Sequence, residues 1–296
     1  MNDERKLPLA TVNAAPCCDD GCCSDTATAT APTGEAIPAG ADPREVVRER
    51  YGQIAAGEAC GCGCGCGPAD AEAVLSRIGY TSEQAAAIPE GANLGLGCGN
   101  PLEHAQLKPG ETVLDLGSGG GIDCFLAARE VGPTGRAIGV DMTSAMLQRA
   151  RATAAKVGAT NVEFRLGEIE HLPVADASID CIISNCVVNL SPEKDQVFRE
   201  ALRVLKPGGR LVVSDLVLTR PLDEAVRNDV ALYVGCVAGA SPKQDYLDAI
   251  ARAGFTGVEV LSQTGYDIGT ESLAEESRER EAFRSVVSVK VRAIRA

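Results

Sequence analysis

Thirteen cysteines but only two histidines, His104 and His171, stand among the 296 residues. Any soft-metal chemistry in this chain therefore falls to sulfur. The thiols occur in three settings: the vicinal pairs Cys17-Cys18 and Cys22-Cys23, the run Cys60-Gly-Cys62-Gly-Cys64-Gly-Cys66, and the single residues Cys98, Cys124, Cys181, Cys186 and Cys236. Glycine beside every cysteine of the run leaves those thiols mobile and close together, which suits exchange better than a rigid cage. A plain glycine linker is the weaker reading, because four cysteines alternate through it. The vicinal pairs can bind soft metals or metalloids, but their spacing fits no standard zinc site. Incidental thiols in a tail and an accessory binding or delivery role stand level there.

A second group of residues lies at Val113-Leu-Asp-Leu-Gly-Ser-Gly-Gly-Gly121. Val113, Leu114 and Leu116 flank Asp115 as in a short buried strand, and glycines at 117, 119 and 121 let backbone pass close to a ligand. A helix is predicted from Ile122 to about Glu130. Strand, glycine loop and helix in that order form the nucleotide-binding turn of an open parallel α/β sheet, where ligands sit off the carboxyl ends of the strands. The dinucleotide fingerprint places its third glycine three residues after the second, whereas Gly119 and Gly121 are two apart. Asp-x-Gly-x-Gly-x-Gly resembles the first motif of class I S-adenosylmethionine (SAM) methyltransferases. Arg136 to Val140 reads as the next strand and ends in Asp141, whose carboxylate can accept both ribose hydroxyls of a nucleoside.

The elements that must position these residues follow in order. Residues 1–42 are rich in Ala, Thr, Pro, Gly and Asp and read as a disordered Cys-containing tail. Residues 43–101 read as a helical and Cys-rich cap segment: Asp42 and Pro43 open a helix ending at Tyr51, a helical stretch covers Asp70 to Arg77, and Ser82 caps another through Ile88. Residues 102–296 read as the SAM-dependent methyltransferase domain with C-terminal strands. There Thr143 caps a helix from Ser144 to Val157, ended by Gly158. Strands are predicted at 162–166, 179–184 and 210–214, and Ser191-Pro192 starts a helix leading to Leu205-Lys-Pro-Gly-Gly209. Beyond Pro221 one helix carries Val226, Val230 and Val234, and Ser241-Pro242 starts another that stops at Gly254. Strands at 258–261 and 287–293 close the sheet, the latter alternating as a half-exposed antiparallel strand does. The stretch 271–281 reads as a surface loop or short helix. The resulting fold class is α/β: a class I methyltransferase Rossmann-like seven-stranded sheet with helices on both faces, after the tail.

On this layout Cys98, Cys186 and Cys236 all fall in loops at one carboxyl edge, and Asn185 and Cys186 are expected to face the transferable methyl. Three thiolates beside a sulfonium methyl would bind a soft, three-coordinate electrophile, with trivalent arsenic or a related metalloid the natural candidate. Arsenic keeps a lone pair opposite its three sulfurs, and that lone pair can itself be the nucleophile. No proton has to leave such an acceptor, so no general base is required. The scarcity of histidine fits this.

The chain resembles the arsenite methyltransferase family over about residues 46–262. The resemblance is carried by Asn93-Leu-Gly-Leu-Gly-Cys98-Gly-Asn-Pro, Gly121-Ile-Asp-Cys124-Phe, Ser184-Asn-Cys186-Val-Val-Asn-Leu and Cys236 in Tyr-Val-Gly-Cys. It implies that Cys98, Cys186 and Cys236 hold arsenic(III), and that a thiol matched by Cys60, Cys62, Cys64 or Cys66 works with Cys98 in redox turnover. Cys124 also matches a family cysteine, and either packs or joins a disulfide during turnover; Cys181 is read as packing. Cofactor contacts are expected from Asp115, Gly117, Ser118, Gly119, Gly121, Asp141, Met142, Ile169, Glu170 and Asn185, although Glu170 reads equally as a solvent-facing carboxylate. The implied partners are arsenite, methylarsenite and a thiol reductant, thioredoxin or glutathione. Many family members carry tyrosine two residues before the cysteine matching Cys98, where this chain has Leu96.

A net charge of −13 excludes the basic footprint that a nucleic-acid partner needs. No apolar run is long enough to span a bilayer, and the opening residues lack the apolar core of a signal peptide. A monomeric cytoplasmic protein is expected. Two rival functions remain: a SAM-dependent carbon methyltransferase on a quinone or lipid-like acceptor, and a non-catalytic thiol-rich metalloid-binding protein.

Overall fold

The computed structural model describes residues 35–57, 68–267, 270 and 274–296. Of the tail predicted at 1–42, residues 1–34 lie outside the described residues, as does the Cys60–Cys66 run; within 35–42, Ala36 forms a bridge with Asp229 and the Ile37 N–H donates to the Asn228 carbonyl at 2.8 Å. Four helices come first: α1 Pro43–Ala56, α2 Pro68–Arg77, α3 Ser82–Ala87 and α4 Leu102–Ala105. The sheet region follows as β1 Thr112–Leu116, α5 Ile122–Val131, β2 Arg136–Asp141, α6 Ser144–Val157, β3 Val162–Leu166 and β4 Ile179–Asn185. After a 3-10 turn at Val188–Leu190 come α7 Lys194–Val204, β5 Leu205–Leu218, α8 Glu224–Arg227 and α9 Val230–Val234. The chain closes with β6 Ser241–Pro242, α10 Lys243–Arg252, β7 Thr256–Gly265, α11 Arg278–Phe283 and β8 Val286–Ile294.

The sheet order is β3-β2-β1-β4-β5-β8-β7, with the two-residue β6 beside β5 as an eighth strand. Strands β1 to β5 pair in parallel, and β8 runs antiparallel to both β5 and β7. The chain winds outward from β1 through β2 to β3, then crosses back to β4. The switch point thus lies between the carboxyl ends of β1 and β4, where such sheets take their ligands.

Side-chain alternation divides the interior. Leu114, Leu116, Ile182, Leu211 and Val213 face one layer with Phe198 of α7 and Tyr246 and Ile250 of α10, while Val113, Cys181, Ile183 and Val212 face Cys124, Leu126 and Val131 of α5. Each fully buried Leu, Ile or Val adds about 1.5–3 kcal/mol over an exposed one. A third cluster caps the carboxyl edge and joins Val47 of α1 to Cys98, Cys186, Leu190, Leu232, Tyr233 and Cys236. No helix among the described residues is long and apolar enough to cross a membrane.

Several element boundaries differ from expectation, each for a local reason. Helix α1 passes Tyr51 to Ala56 because Gly57, at φ +77°, supplies the left-handed cap. The cap of α3 is Thr81 rather than Ser82, in a reciprocal capping box with Gln84. Thr143 stands at the N-cap of α6, yet its side chain makes no capping bond; Asp141 Oδ1 accepts the Thr143 N–H instead, at 2.7 Å. Helix α7 opens at Lys194, because the 3-10 turn and Ser191 precede it. The single helix expected after Pro221 is two, since Asp229 takes an extended backbone and caps α9 through its side chain. Strands β5 and β7 run longer than predicted because each pairs along β8.

Candidate active site

The glycine loop closes tightly on the protein everywhere but at one residue. A Cβ on Gly117 would meet Val187, one on Gly120 the carbonyl of Ala92, and one on Gly121 the rings of Phe164 and Phe125, all within 3 Å. At Gly119, φ +50°, it would meet nothing within 4 Å. Asp141, at the end of β2, holds that segment by accepting the Gly119 N–H at 2.9 Å on Oδ2.

Asp115 and Asp123 lie under the loop, both buried. Asp115 is pushed well above the ordinary carboxylate range by burial and then by the neighbouring charges of Asp123 and Asp141. Asp123 is pushed up to about 6 by burial, held back by hydrogen bonds from Tyr80 and Asn185. The hydroxyl of Ser118 is buried with no partner among the described residues. Open space over Gly119, an unpartnered hydroxyl and buried carboxylates that repel one another fit a cationic nucleoside, and SAM is one.

The remaining expected cofactor residues fall as follows. Met142 is half-buried at the edge of the cysteine cluster, and Ile169 is buried in the sheet core. Glu170 is 2% exposed: it accepts a hydrogen bond from the Ser191 hydroxyl and lies 3.9 Å from Arg44. Arg44 also lies 3.5 Å from Glu168 and 3.6 Å from Glu193, and Arg48 donates to Glu168 at 2.9 Å. These pairs tie α1 to the loop after β3. At its other end Tyr51 donates to the Val234 carbonyl at 3.2 Å, so α1 lies across the carboxyl edge.

The single cysteines divide into two kinds. Cys181 and Cys124 are 0% exposed within the sheet and α5. Cys124 donates its S–H to Asp115 Oδ2 at 3.4 Å, and burial pushes its thiol far up. Cys98, Cys186 and Cys236 meet under α1. Cys98 and Cys186 sulfurs and an Asp215 carboxylate oxygen lie within 4.8 Å of one another. Cys236 donates to the Cys186 carbonyl at 2.8 Å and Cys98 to the Ser214 carbonyl at 3.6 Å. Burial raises the Cys186 thiol well above its usual range, and the bond to Cys186 together with burial does the same to Cys236. Buried, protonated thiols are inert to most electrophiles.

Beneath the thiols Asp215 is pushed up to about 7 by burial. It accepts from Asn189 Nδ2 at 2.8 Å, the Leu216 N–H at 2.9 Å and the Tyr246 hydroxyl at 3.1 Å. Sequence reasoning assigned no role to Asp215, Asp123 or Tyr80. A strand-end acidic residue is a faint signal for Asp215, and Asp123 lies two residues past the loop. Nothing near Tyr80 marks it.

A family model described as a methyltransferase domain matches residues 107–254. An arsenite methyltransferase of Halobacterium salinarum is 48% identical over 272 residues, 88% of this chain and 69% of that protein. One of Aquipseudomonas alcaligenes is 45% identical over 186 residues, 60% of this chain and 53% of that protein. Among solved structures, CrArsM, an arsenic (III) S-adenosylmethionine methyltransferase from Chlamydomonas reinhardtii, aligns with a TM-score of 0.58 at 33% identity, over 77% of this chain and 73% of that one.

Proposed function

Because the chain belongs to the arsenite methyltransferase family, we propose that it moves the methyl group of SAM to trivalent arsenic held by the thiolates of Cys98, Cys186 and Cys236. The observation that carries the arsenic assignment is the packing of these three cysteines into one buried cluster at the carboxyl edge. Each thiol displaces one hydroxyl of arsenous acid, and its proton leaves with that hydroxyl as water. Three S–As bonds replace three As–O bonds with no net release of protons, so high thiol pKa values do not obstruct capture.

SAM supplies a methyl group on a sulfonium, and Asp141, Ser118 and the Gly119 backbone would hold its nucleoside and amino-acid ends. The arsenic lone pair takes the methyl, S-adenosylhomocysteine is the leaving group, and arsenic rises from the trivalent to the pentavalent level. One free cysteine thiol then attacks the arsenic-bound sulfur of Cys98: an S–S bond forms, the S–As bond breaks, its electron pair returns arsenic to the trivalent level, and the attacking thiol loses one proton. Cys98 with one of Cys60, Cys62, Cys64 or Cys66 is the pair we assign, and thioredoxin or glutathione reopens it. The cytoplasm keeps such reductants available and suits this cycle.

The test is turnover of SAM with arsenite and a thiol reductant, with arsenic speciated in the products. Methylated arsenic that disappears in Cys186→Ser and Cys236→Ser is the expected result. Tight arsenite binding without methyl transfer would make the protein a metalloid-binding one. Neither binding nor transfer would leave a carbon methyltransferase as the reading to pursue.

A further inference from the structure

Asn185 sits at the carboxyl end of β4, beside the switch point, and its amide reaches in two directions. Toward the thiol pocket, Oδ1 accepts the backbone N–H of Cys98 at 3.1 Å, and Nδ2 donates to the Gly99 carbonyl at 2.8 Å. Toward the glycine loop, Nδ2 faces the Tyr80 hydroxyl at 3.0 Å and Asp123 Oδ2 at 3.3 Å. Tyr80 in turn donates to Asp123 Oδ1 at 2.7 Å. Asp123 is the second residue of α5, whose N-cap is Gly121 of the loop. In this arrangement the Cys98 segment packs closely on its neighbours: a Cβ on Gly97 would come within 3.0 Å of Asn185 Nδ2, and one on Gly99 within 1.8 Å of Ser214 Oγ.

We propose that Asn185, oriented by Tyr80 and Asp123, is a positioning residue that couples occupancy of the glycine loop to the placement of the Cys98 thiol. The proposal rests on the arsenic reading above. A ligand that fills the loop bears on the first turn of α5, and through it on the Asp123 carboxylate. Asp123 and Tyr80 then hold the Asn185 amide with its oxygen toward Cys98. The Cys98 backbone is thereby set before arsenite arrives, and the cost of ordering that segment falls on the first ligand rather than the second. Nothing in the network has to touch arsenic or the methyl group.

The experiment is calorimetric titration of the reduced full chain with arsenite, without and with saturating S-adenosylhomocysteine, which cannot transfer a methyl. In the unmodified protein arsenite is expected to bind about 5-fold tighter or more when the loop is filled, the lower end of usual coupling between sites. Asn185→Ala is expected to bring that factor near one, and Tyr80→Phe, which deletes only a hydroxyl, to reduce it. The affinity of each protein for S-adenosylhomocysteine alone is measured first, so that the arsenite factor is read at saturation in all of them. Asp123→Asn serves in place of Asn185→Ala if that variant does not fold, as judged by thermal unfolding.

Variants that keep the full coupling factor, or that weaken arsenite equally with and without S-adenosylhomocysteine, would overturn the proposal, since a merely structural role leaves the ratio unchanged. So would a factor of one in the unmodified protein. Failure of the unmodified protein to bind arsenite at all would instead bring down the arsenic reading, and the proposal with it.

Discussion

Cys186 and Cys236 both take left-handed backbone, at φ +60° and +65°, and the thiol of Cys236 donates to the carbonyl of Cys186 at 2.8 Å. Only two other non-glycine residues among those described do so, Gln106 and Ala177. A side chain at such an angle costs about 1–2 kcal/mol through the clash of Cβ with the following carbonyl. Two turns that glycine would fill more cheaply carry cysteine instead.

A stability difference follows. Cys236→Gly relieves the left-handed strain and Cys236→Ala keeps it, so the glycine variant is expected to be the more stable of the two by about 1 kcal/mol. Both lose the thiol, and both should lose arsenite turnover. Denaturant unfolding beside the turnover assay separates the two effects.

Two glycine substitutions should fail differently. Gly99→Ala drives a Cβ onto the Oγ of Ser214, itself fully buried, and its expected loss is in folding, on the order of the 1–3 kcal/mol of an overpacked core. Gly119→Ala meets open space, so its melting temperature should fall only by the strain at φ +50°, while SAM affinity drops sharply. Thermal unfolding and SAM titration of the two variants check this.

Cys124 should act through its S–H. Serine retains a donor to Asp115, whereas alanine leaves that buried carboxylate without the bond. Cys124→Ser is therefore expected to bind SAM more tightly than Cys124→Ala. At 0% exposure the thiol should also stay unlabelled by maleimide in the native protein. Labelling at the rate of a free thiol would return Cys124 to the disulfide chemistry.

Stability should decline as pH rises through the neutral range. Burial lifts Asp215 to about 7 and Asp123 to about 6, from a usual value of 3.8. Between the unfolded and folded values the native chain holds more protons than the unfolded one. The contribution of the protonated forms is complete below the usual carboxylate range and is lost as pH climbs through 6 and 7, at no more than about 1.4 kcal/mol per pH unit for each group. Melting temperatures from pH 5 to 8 should fall for the ligand-free protein and fall less for Asp215→Asn. A cationic ligand reverses the sense at Asp123: SAM should bind more tightly at pH 7 than at pH 5.

Much of this was legible in the chain. Period-2 and period-3.6 patterns, with glycine after the first strand, fix the element order, because alternation and backbone freedom are local properties. The element order then sends Cys98, Cys186 and Cys236 to one carboxyl edge, and the resemblance names arsenic. Strand ends were less legible: β5 and β7 are lengthened by pairing with β8, a partner as many as 84 positions away in the β5 register, and no local pattern encodes that. The role of Asn185 was also beyond local reading. Its partners Tyr80, Cys98, Gly99 and Asp123 come from three separate segments, and only packing decides which way an amide turns. Asp215 likewise has an unremarkable strand-end sequence until the fold removes its water and sets sulfur beside it. Sequence determined which chemistry this protein can carry; tertiary structure decided which neighbours tune it, because burial and long-range hydrogen bonds exist only once the chain has closed on itself.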